Sequence, residues 1–322
     1  MDVLVLGELE VEALLDLEDL LDALQDGFAQ LTRGEVNAPD RNEIPMPADA
    51  FLLSMPAHRE GSEMMVKIVT VFEANLERGL PSHFAVINAF DPETGACTAM
   101  IDGTYITAVR TAGSAAVSAR LLAREDARRL AIVGAGVQGR SHLRTVPLTR
   151  GFEDIAICSL HHEDAERLAG EHPLARAERD VEAAVRDADV VALATHAAAP
   201  VIDAAWLKPG AHVSSVGYNP PVGELPADAI DRGRLFVETR IAFEPTPVGC
   251  AELAGRDPAS ATELGEVVTG ARPGRTSPDE ITVYKAMGHA IEDLVAADLV
   301  LAAARRTGAG RAVEVMAGRP TG

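Results

Sequence analysis

Residues 129 to 142 read RLAIVGAGVQGRSH. The apolar run Leu130 to Val133 has the composition of a strand buried on both faces, and it turns through Gly134, Gly136 and Gly139 into a segment that reads as helix. This is G-x-G-x-x-G between strand and helix. The first glycine permits a tight turn, the second lets a pyrophosphate approach the backbone, and the third lets helix pack on strand. The helix N-terminus then directs free N–H groups at the phosphates. The stretch therefore predicts a dinucleotide site. A plain strand-to-helix turn is the alternative, and the flanking strand and helix weigh against it.

Downstream the pattern alternates as a doubly wound parallel sheet requires: strand Ile155 to Cys158, a helix from Asp164, a helix near Val181, then strands Val190 to Ala194, His212 to Val216 and Leu235 to Val237. Val216-Gly217-Tyr218-Asn219-Pro220-Pro221 follows the carboxyl end of a strand, where such sheets bind ligands. Thr282 to Ala304 reads as one long helix interrupted by Gly288 and returning to the first domain. The last dozen residues, rich in Gly and Arg, are expected to be disordered.

Upstream, Val11 to Leu31 carries leucines at helical spacing and reads as one amphipathic helix, stopped by Gly34. Phe51 to Ser54, Met64 to Phe72 and His83 to Phe90 read as strands. Asp91-Pro92-Glu93-Thr94-Gly95 is a hairpin turn and Ala96 to Ile101 its return strand. Thr104 to Ala123 is an alanine-rich helix leading into the glycine turn. The fold class is α/β: a Rossmann-type parallel sheet over 125–280, a mainly antiparallel α+β domain over 1–124, and a C-terminal helix and tail over 281–322.

The 322 residues suffice for two ordinary domains, and a hydrophobic fraction of 47% fits a globular protein. A formal charge of -20 repels phosphate backbones and argues against nucleic-acid binding. No apolar stretch is long enough for a membrane helix, and the N-terminal stretch is acidic where a signal peptide is basic, so a cytoplasmic protein is expected. Cys97, Cys158 and Cys250 are far apart, without metal-site spacing or a disulfide framework, and read as buried thiols.

An NAD enzyme usually places Asp or Glu about twenty residues past the glycine turn to hold the adenosine ribose. Here the second strand ends Ile157-Cys158-Ser159-Leu160-His161-His162, with no carboxylate before Glu163. Ser159 could hydrogen-bond a 2′-phosphate that an aspartate would repel, and His161 or His162 could lie near it, so NADP(H) is favoured over NAD(H). A solvated loop is the other reading of the histidine pair. In the first domain Arg41, Lys67 and Arg110 stand outside charge runs, Lys67 inside an apolar strand and Arg110 inside a helix of small residues. Isolated cations in apolar settings need partners. A bound carboxylate is one, matched by the arginine fork; salt bridges to this chain's many carboxylates are the other.

The segments GLPSHF, IDGTYITAVRTAG, GAGVQGRSH, SVGYNPPVGELP and ITVYKAMGHAIEDLVAA, taken in this order with Lys67 ahead of them, resemble the ornithine cyclodeaminase/mu-crystallin family. The resemblance runs from Asp40 to Ala304. It implies that Arg41, Lys67 and Arg110 bind the substrate carboxylate, that Met287 touches the substrate pocket, and that Ser82, Arg110 and Thr111 belong to the cofactor site. It further implies cofactor contacts at Val137, Gln138, Thr195, Val216, Gly217 and Tyr218, and a homodimer built through the first domains.

Two positions depart from the cyclodeaminase pattern: Asn219 where an aspartate takes the substrate's side-chain proton, and Leu53 where a glutamate precedes the Met-Pro pair. An amide cannot act as that base. With these departures, the resemblance implies an NAD(P)-dependent oxidoreductase moving a hydride between nicotinamide and the Cα of a small α-imino or α-amino acid. Lys67 would polarise the substrate or relay a proton, His83 is a second relay candidate, and Asn219 would orient the substrate; no metal is needed. The alternatives are an ammonia-releasing cyclodeaminase with bound NAD and a mu-crystallin-like ligand-binding protein.

Overall fold

The computed structural model describes residues 2–48 and 50–315. In chain order the strands are β1 (Asp2–Leu6), β2 (Val36–Asn37), β3 (Asn42–Pro45), β4 (Phe51–Arg59), β5 (Met64–Val71), β6 (His83–Phe90), β7 (Cys97–Asp102), β8 (Arg129–Val133), β9 (Asp154–Cys158), β10 (Ala175–Ala177), β11 (Val190–Leu193), β12 (His212–Ser215), β13 (Arg234–Val237), β14 (Thr262–Glu263), β15 (Thr282–Lys285) and β16 (Arg311–Glu314). The helices are α1 (Glu8–Leu14), α2 (Leu17–Thr32), α3 (Gly103–Leu122), α4 (Val137–Thr145), α5 (His162–Ala169), α6 (Val181–Asp187), α7 (Ala227–Arg232), α8 (Leu264–Val268) and α9 (Ala290–Thr307). No helix among the described residues is long and apolar enough to cross a membrane.

The chain divides into two compact units that cut across the expected boundaries. One comprises 1–23, 33–110 and 289–322, the other 24–32 and 111–288. Residues 111–124 and 281–288 therefore count with the second unit, and the division falls inside α2 and α3.

The first unit is built on an eight-stranded sheet of order β16-β1-β7-β6-β5-β4-β2, with β3 also on β4. Pairing is antiparallel except between β1 and β7. Strict alternation along β5 buries Met65, Lys67, Val69 and Val71 and leaves Met64, Val66, Ile68 and Thr70 partly exposed. α9 packs against β4 and β5, and α1 against β7 and α9.

The second unit is a parallel sheet of order β10-β9-β8-β11-β12-β15-β13-β14. Strand order reverses at β8, with β9 on one side and β11 on the other, so the carboxyl ends of β8 and β11 flank the crevice where open α/β sheets bind ligands. Its core includes Val133, Val191, Leu193, Val213, Leu235, Val237 and Val283.

Three expectations need correction. Thr282 to Lys285 is not helix but β15, hydrogen-bonded between β12 and β13 with all four residues buried. A fully buried run of this length fits either element, and Gly288, at φ 75, separates it from α9. The helix expected over Val11 to Leu31 is two helices, because Leu15 is extended and the Asp16 carboxylate accepts the N–H groups of Glu18 and Asp19 at the start of α2. Asp2 to Leu6, to which the sequence reading assigned no element, is a strand in the sheet. Of the segment expected to be disordered, Arg311 to Glu314 pairs with β1; residues 316–322 lie outside the described residues. Cys158 and Cys250 are buried, their thiols pushed up to about 12 by desolvation, while Cys97 is only partly buried.

Candidate active site

The glycine turn has the geometry its spacing predicts. Gly134 lies at φ 114, where side chains are rarely tolerated, and a Cβ there would stand 2.3 Å from the Ala194 carbonyl oxygen. A Cβ on Gly139 would meet the Gly134 carbonyl oxygen at 2.0 Å, so the third glycine sets how closely α4 approaches the turn. Gly136 caps α4 and faces open space, with no atom within 4 Å of where its Cβ would be. That gap is what a pyrophosphate needs at a helix N-terminus. Val137 is 69% exposed beside it, and the Gln138 Oε1 is buried without a protein partner among the described residues. The residues fit a dinucleotide.

At the end of β9, Ser159 is half-buried, Leu160 almost fully exposed, and His161 exposed as the residue preceding α5. His162 stands 3.1 Å from Glu166. The carboxyl end of β9 thus presents a hydroxyl and imidazoles, with no carboxylate between Ile155 and His162.

The loops after β11 and β12 are joined by a carboxylate that sequence reasoning missed. Glu224 is fully buried; one oxygen accepts the Thr195 N–H and hydroxyl at 2.7 and 2.6 Å, the other the Ser215 hydroxyl and Gly217 N–H at 2.9 and 2.7 Å. Lys285, also fully buried, donates to the Gly217 carbonyl at 2.6 Å and pairs with Glu252 at 2.9 Å. The charges offset each other away from water, as buried ions must. Asn219 donates its amide to the His196 carbonyl at 2.9 Å, a second tie between the loops. Met287 packs on the core of this unit and donates its N–H to Glu238, with Gly288 bonded alongside. Glu224 and Lys285 lie inside the quoted motifs SVGYNPPVGELP and ITVYKAMGHAIEDLVAA; their signal was a charge within an apolar or glycine-rich run.

In the first unit β5, α3 and α9 bring Lys67 and Arg110 together. Lys67 Nζ contacts both oxygens of Asp293 at 2.8 Å. Arg110 donates from Nε to Asp293 at 3.1 Å and from Nη1 to Glu292 at 2.5 Å. Lys67 is 1% exposed and Arg110 5%. Burial pushes the Lys67 ammonium down to about 8, with Arg110 adding to the effect and Asp293 opposing it. The two readings of these cations meet here: the salt bridges exist, and they hold two cations side by side. Arg41 precedes the Asn42–Ser54 pair, at the level of Met55, whose partner across the ladder is Lys67. Ser82 is half-buried, its hydroxyl 2.9 Å from the His83 Nδ1, and Thr111 follows Arg110 on α3.

Residues 1–308 match the profile described as the ornithine cyclodeaminase/mu-crystallin family. The chain belongs to this family. Among relatives within the ornithine cyclodeaminase/mu-crystallin family, it is 36% identical to the ketimine reductase mu-crystallin of Mus musculus over 284 residues, covering 87% of this chain and 89% of that one. Among solved structures, the Thermococcus litoralis Delta(1)-pyrroline-2-carboxylate reductase in complex with NADH and L-proline superposes with a TM-score of 0.91 at 30% identity, covering 97% of this chain and all of that one. An archaeal alanine dehydrogenase dimer with bound NAD gives 0.88 at 25% identity, covering 98% and 100%.

Proposed function

We propose that this protein is an NAD(P)-dependent oxidoreductase that reduces small α-imino acids to α-amino acids. The observation that carries the reading is the coexistence, in a family member related to ketimine and pyrroline-carboxylate reductases, of the open Gly136 turn with the Lys67–Arg110 pair. The bound nicotinamide supplies the hydride. The chain's residues do the rest. Arg110 and Lys67, with Arg41, hold the substrate carboxylate and so fix Cα, an orientation that contributes much of the rate. As the Cα–H bond forms, the C=N electron pair moves to nitrogen, and Lys67, with its proton held less tightly than an exposed lysine's, is the group suited to supply a proton there. Ser82 and Thr111 serve the nicotinamide half. Val216, Gly217 and Tyr218 flank it, braced by Glu224.

NADP(H) is the preferred cofactor in this reading, supported by the hydroxyl of Ser159 and the absence of a carboxylate on the β9 end. Asn219 disfavours cyclodeamination, since an amide cannot take the proton of a substrate amine. The protein acts in the cytoplasm as a homodimer. Support for the dimer comes from the uncovered face of the first unit's sheet, where Val66, Ile68, Phe84, Val86 and Met100 form a partly exposed apolar surface across β5, β6 and β7.

The test is titration of the purified protein with NADPH and NADH, followed by nicotinamide absorbance with a panel of cyclic and open-chain imino acids. Cofactor oxidation on an imino acid is expected, with tighter NADPH binding that Ser159→Asp reverses. Release of ammonia from ornithine with no net change in absorbance would overturn the reading in favour of a cyclodeaminase.

A further inference from the structure

We infer that Asp293 is the positioning residue of the substrate-carboxylate site, holding Lys67 and Arg110 at a fixed spacing and keeping both charged. The inference rests on the reading of these two cations as the carboxylate anchors. Asp293 Oδ1 accepts from Lys67 Nζ at 2.8 Å and from Arg110 Nε at 3.1 Å, so a single oxygen sits between two like charges that would otherwise repel. Its second oxygen also lies 2.8 Å from Lys67. Asp293 is 3% exposed and stands in the first turn of α9, where the helix N-terminus favours a carboxylate. Its backbone is anchored by a capped helix, whose His289 imidazole accepts the Ile291 N–H.

The groups around Lys67 divide into opposing sets. Arg110 on α3 and burial favour loss of its proton; Asp293 and, more weakly, Glu292 on α9 favour its retention. The ladder neighbours on β4 and β6 are Met55 and Ile87, which carry no charge, and Arg41 lies at the level of Met55. Removing Asp293 leaves Lys67 buried beside Arg110 with its closest compensating charge gone. Its proton is then lost at lower pH, and with it one of the cations that anchor an anionic substrate.

The chain has three lysines, Lys67, Lys208 and Lys285, so ε-carbon-13 lysine NMR of the full chain resolves Lys67, with Lys67→Arg as the assignment reference. The wild-type Lys67 signal titrates near pH 8, and Asp293→Asn moves the midpoint down by about one pH unit or more. The alkaline limb of kcat/KM on an imino acid moves down with it. Asp293→Glu keeps the charge but displaces it by a methylene, so it holds the NMR midpoint while lowering kcat/KM roughly tenfold, about 1.4 kcal/mol. It also serves if the asparagine variant does not fold. A Lys67 midpoint unmoved in Asp293→Asn overturns this inference alone. A midpoint that moves while the kcat/KM limb stays in place shows that the charge of Lys67 is not used on the substrate and overturns it as well. A wild-type protein that oxidises neither NADH nor NADPH with any imino acid overturns the underlying reading instead, while the NMR coupling would still be seen.

Discussion

The carboxylate of Glu224 accepts both the backbone N–H and the hydroxyl of Thr195, at 2.7 and 2.6 Å. Its other oxygen binds Ser215 and Gly217, so one buried side chain ties the loop after β11 to the loop after β12. Glu224→Gln replaces an acceptor with a donor that faces donors, stranding buried N–H or O–H groups at a cost of about 1–3 kcal/mol. The expected result is a lower Tm and NAD(P)H binding weakened about tenfold. A variant that binds the cofactor as tightly as wild type would show that the brace is dispensable.

The three glycines of the turn separate fold from function. Gly139→Ala forces a Cβ to 2.0 Å from a backbone oxygen and should cost at least the ~1–3 kcal/mol of ordinary overpacking. Gly136→Ala meets nothing in the protein, so its Tm should match wild type while dinucleotide affinity falls about tenfold or more. Thermal melts with and without NADPH check both. A Gly136→Ala protein that NADPH stabilises as strongly as it does the wild type would contradict the placement of the pyrophosphate.

His212 predicts acid sensitivity. It is fully buried, with Nε2 3.0 Å from the Ser118 hydroxyl and Nδ1 2.9 Å from the Thr282 hydroxyl, and burial, with Arg275 and Arg150 adding positive charge, pushes it down to about 3. The unfolded chain takes up a proton near pH 6.5 that the folded protein refuses. The contribution is therefore present in full above 6.5 and is lost as pH falls toward 3, amounting to about 2 kcal/mol by pH 5. Denaturant melts at pH 7.5 and 5 should show the loss, and His212→Gln, though less stable at pH 7.5, should show a flatter acid limb.

The apolar sheet face predicts an assembly. Ile68 is partly exposed at the centre of it, paired with Ser54 and Val86 on the flanking strands. Ile68→Glu should convert a dimer to a monomer in light scattering with the far-UV spectrum unchanged, because its side chain lies on the face opposite the core. A wild-type monomer at micromolar concentration would remove the proposal.

The glycine turn, the alternation of strands and helices after it, the hairpin at Asp91 to Gly95, and the candidacy of Lys67 and Arg110 were all legible in the sequence. Each of these is written locally, in spacing, in glycine placement, or in a charge set among apolar neighbours. Only the tertiary fold makes Thr282 to Lys285 a strand, because all four residues are buried, so no alternation distinguishes strand from helix, and the run takes its form from the β12 and β13 edges it joins. It alone placed Asp2 to Leu6 in the sheet, paired in parallel with β7. It also chose the partners. Asp293 reaches Lys67 across 226 positions of chain, and a charge's compensating neighbour at that separation leaves no trace in local pattern. Burial then makes the pairing obligatory, since a lone ion removed from water is too costly to keep.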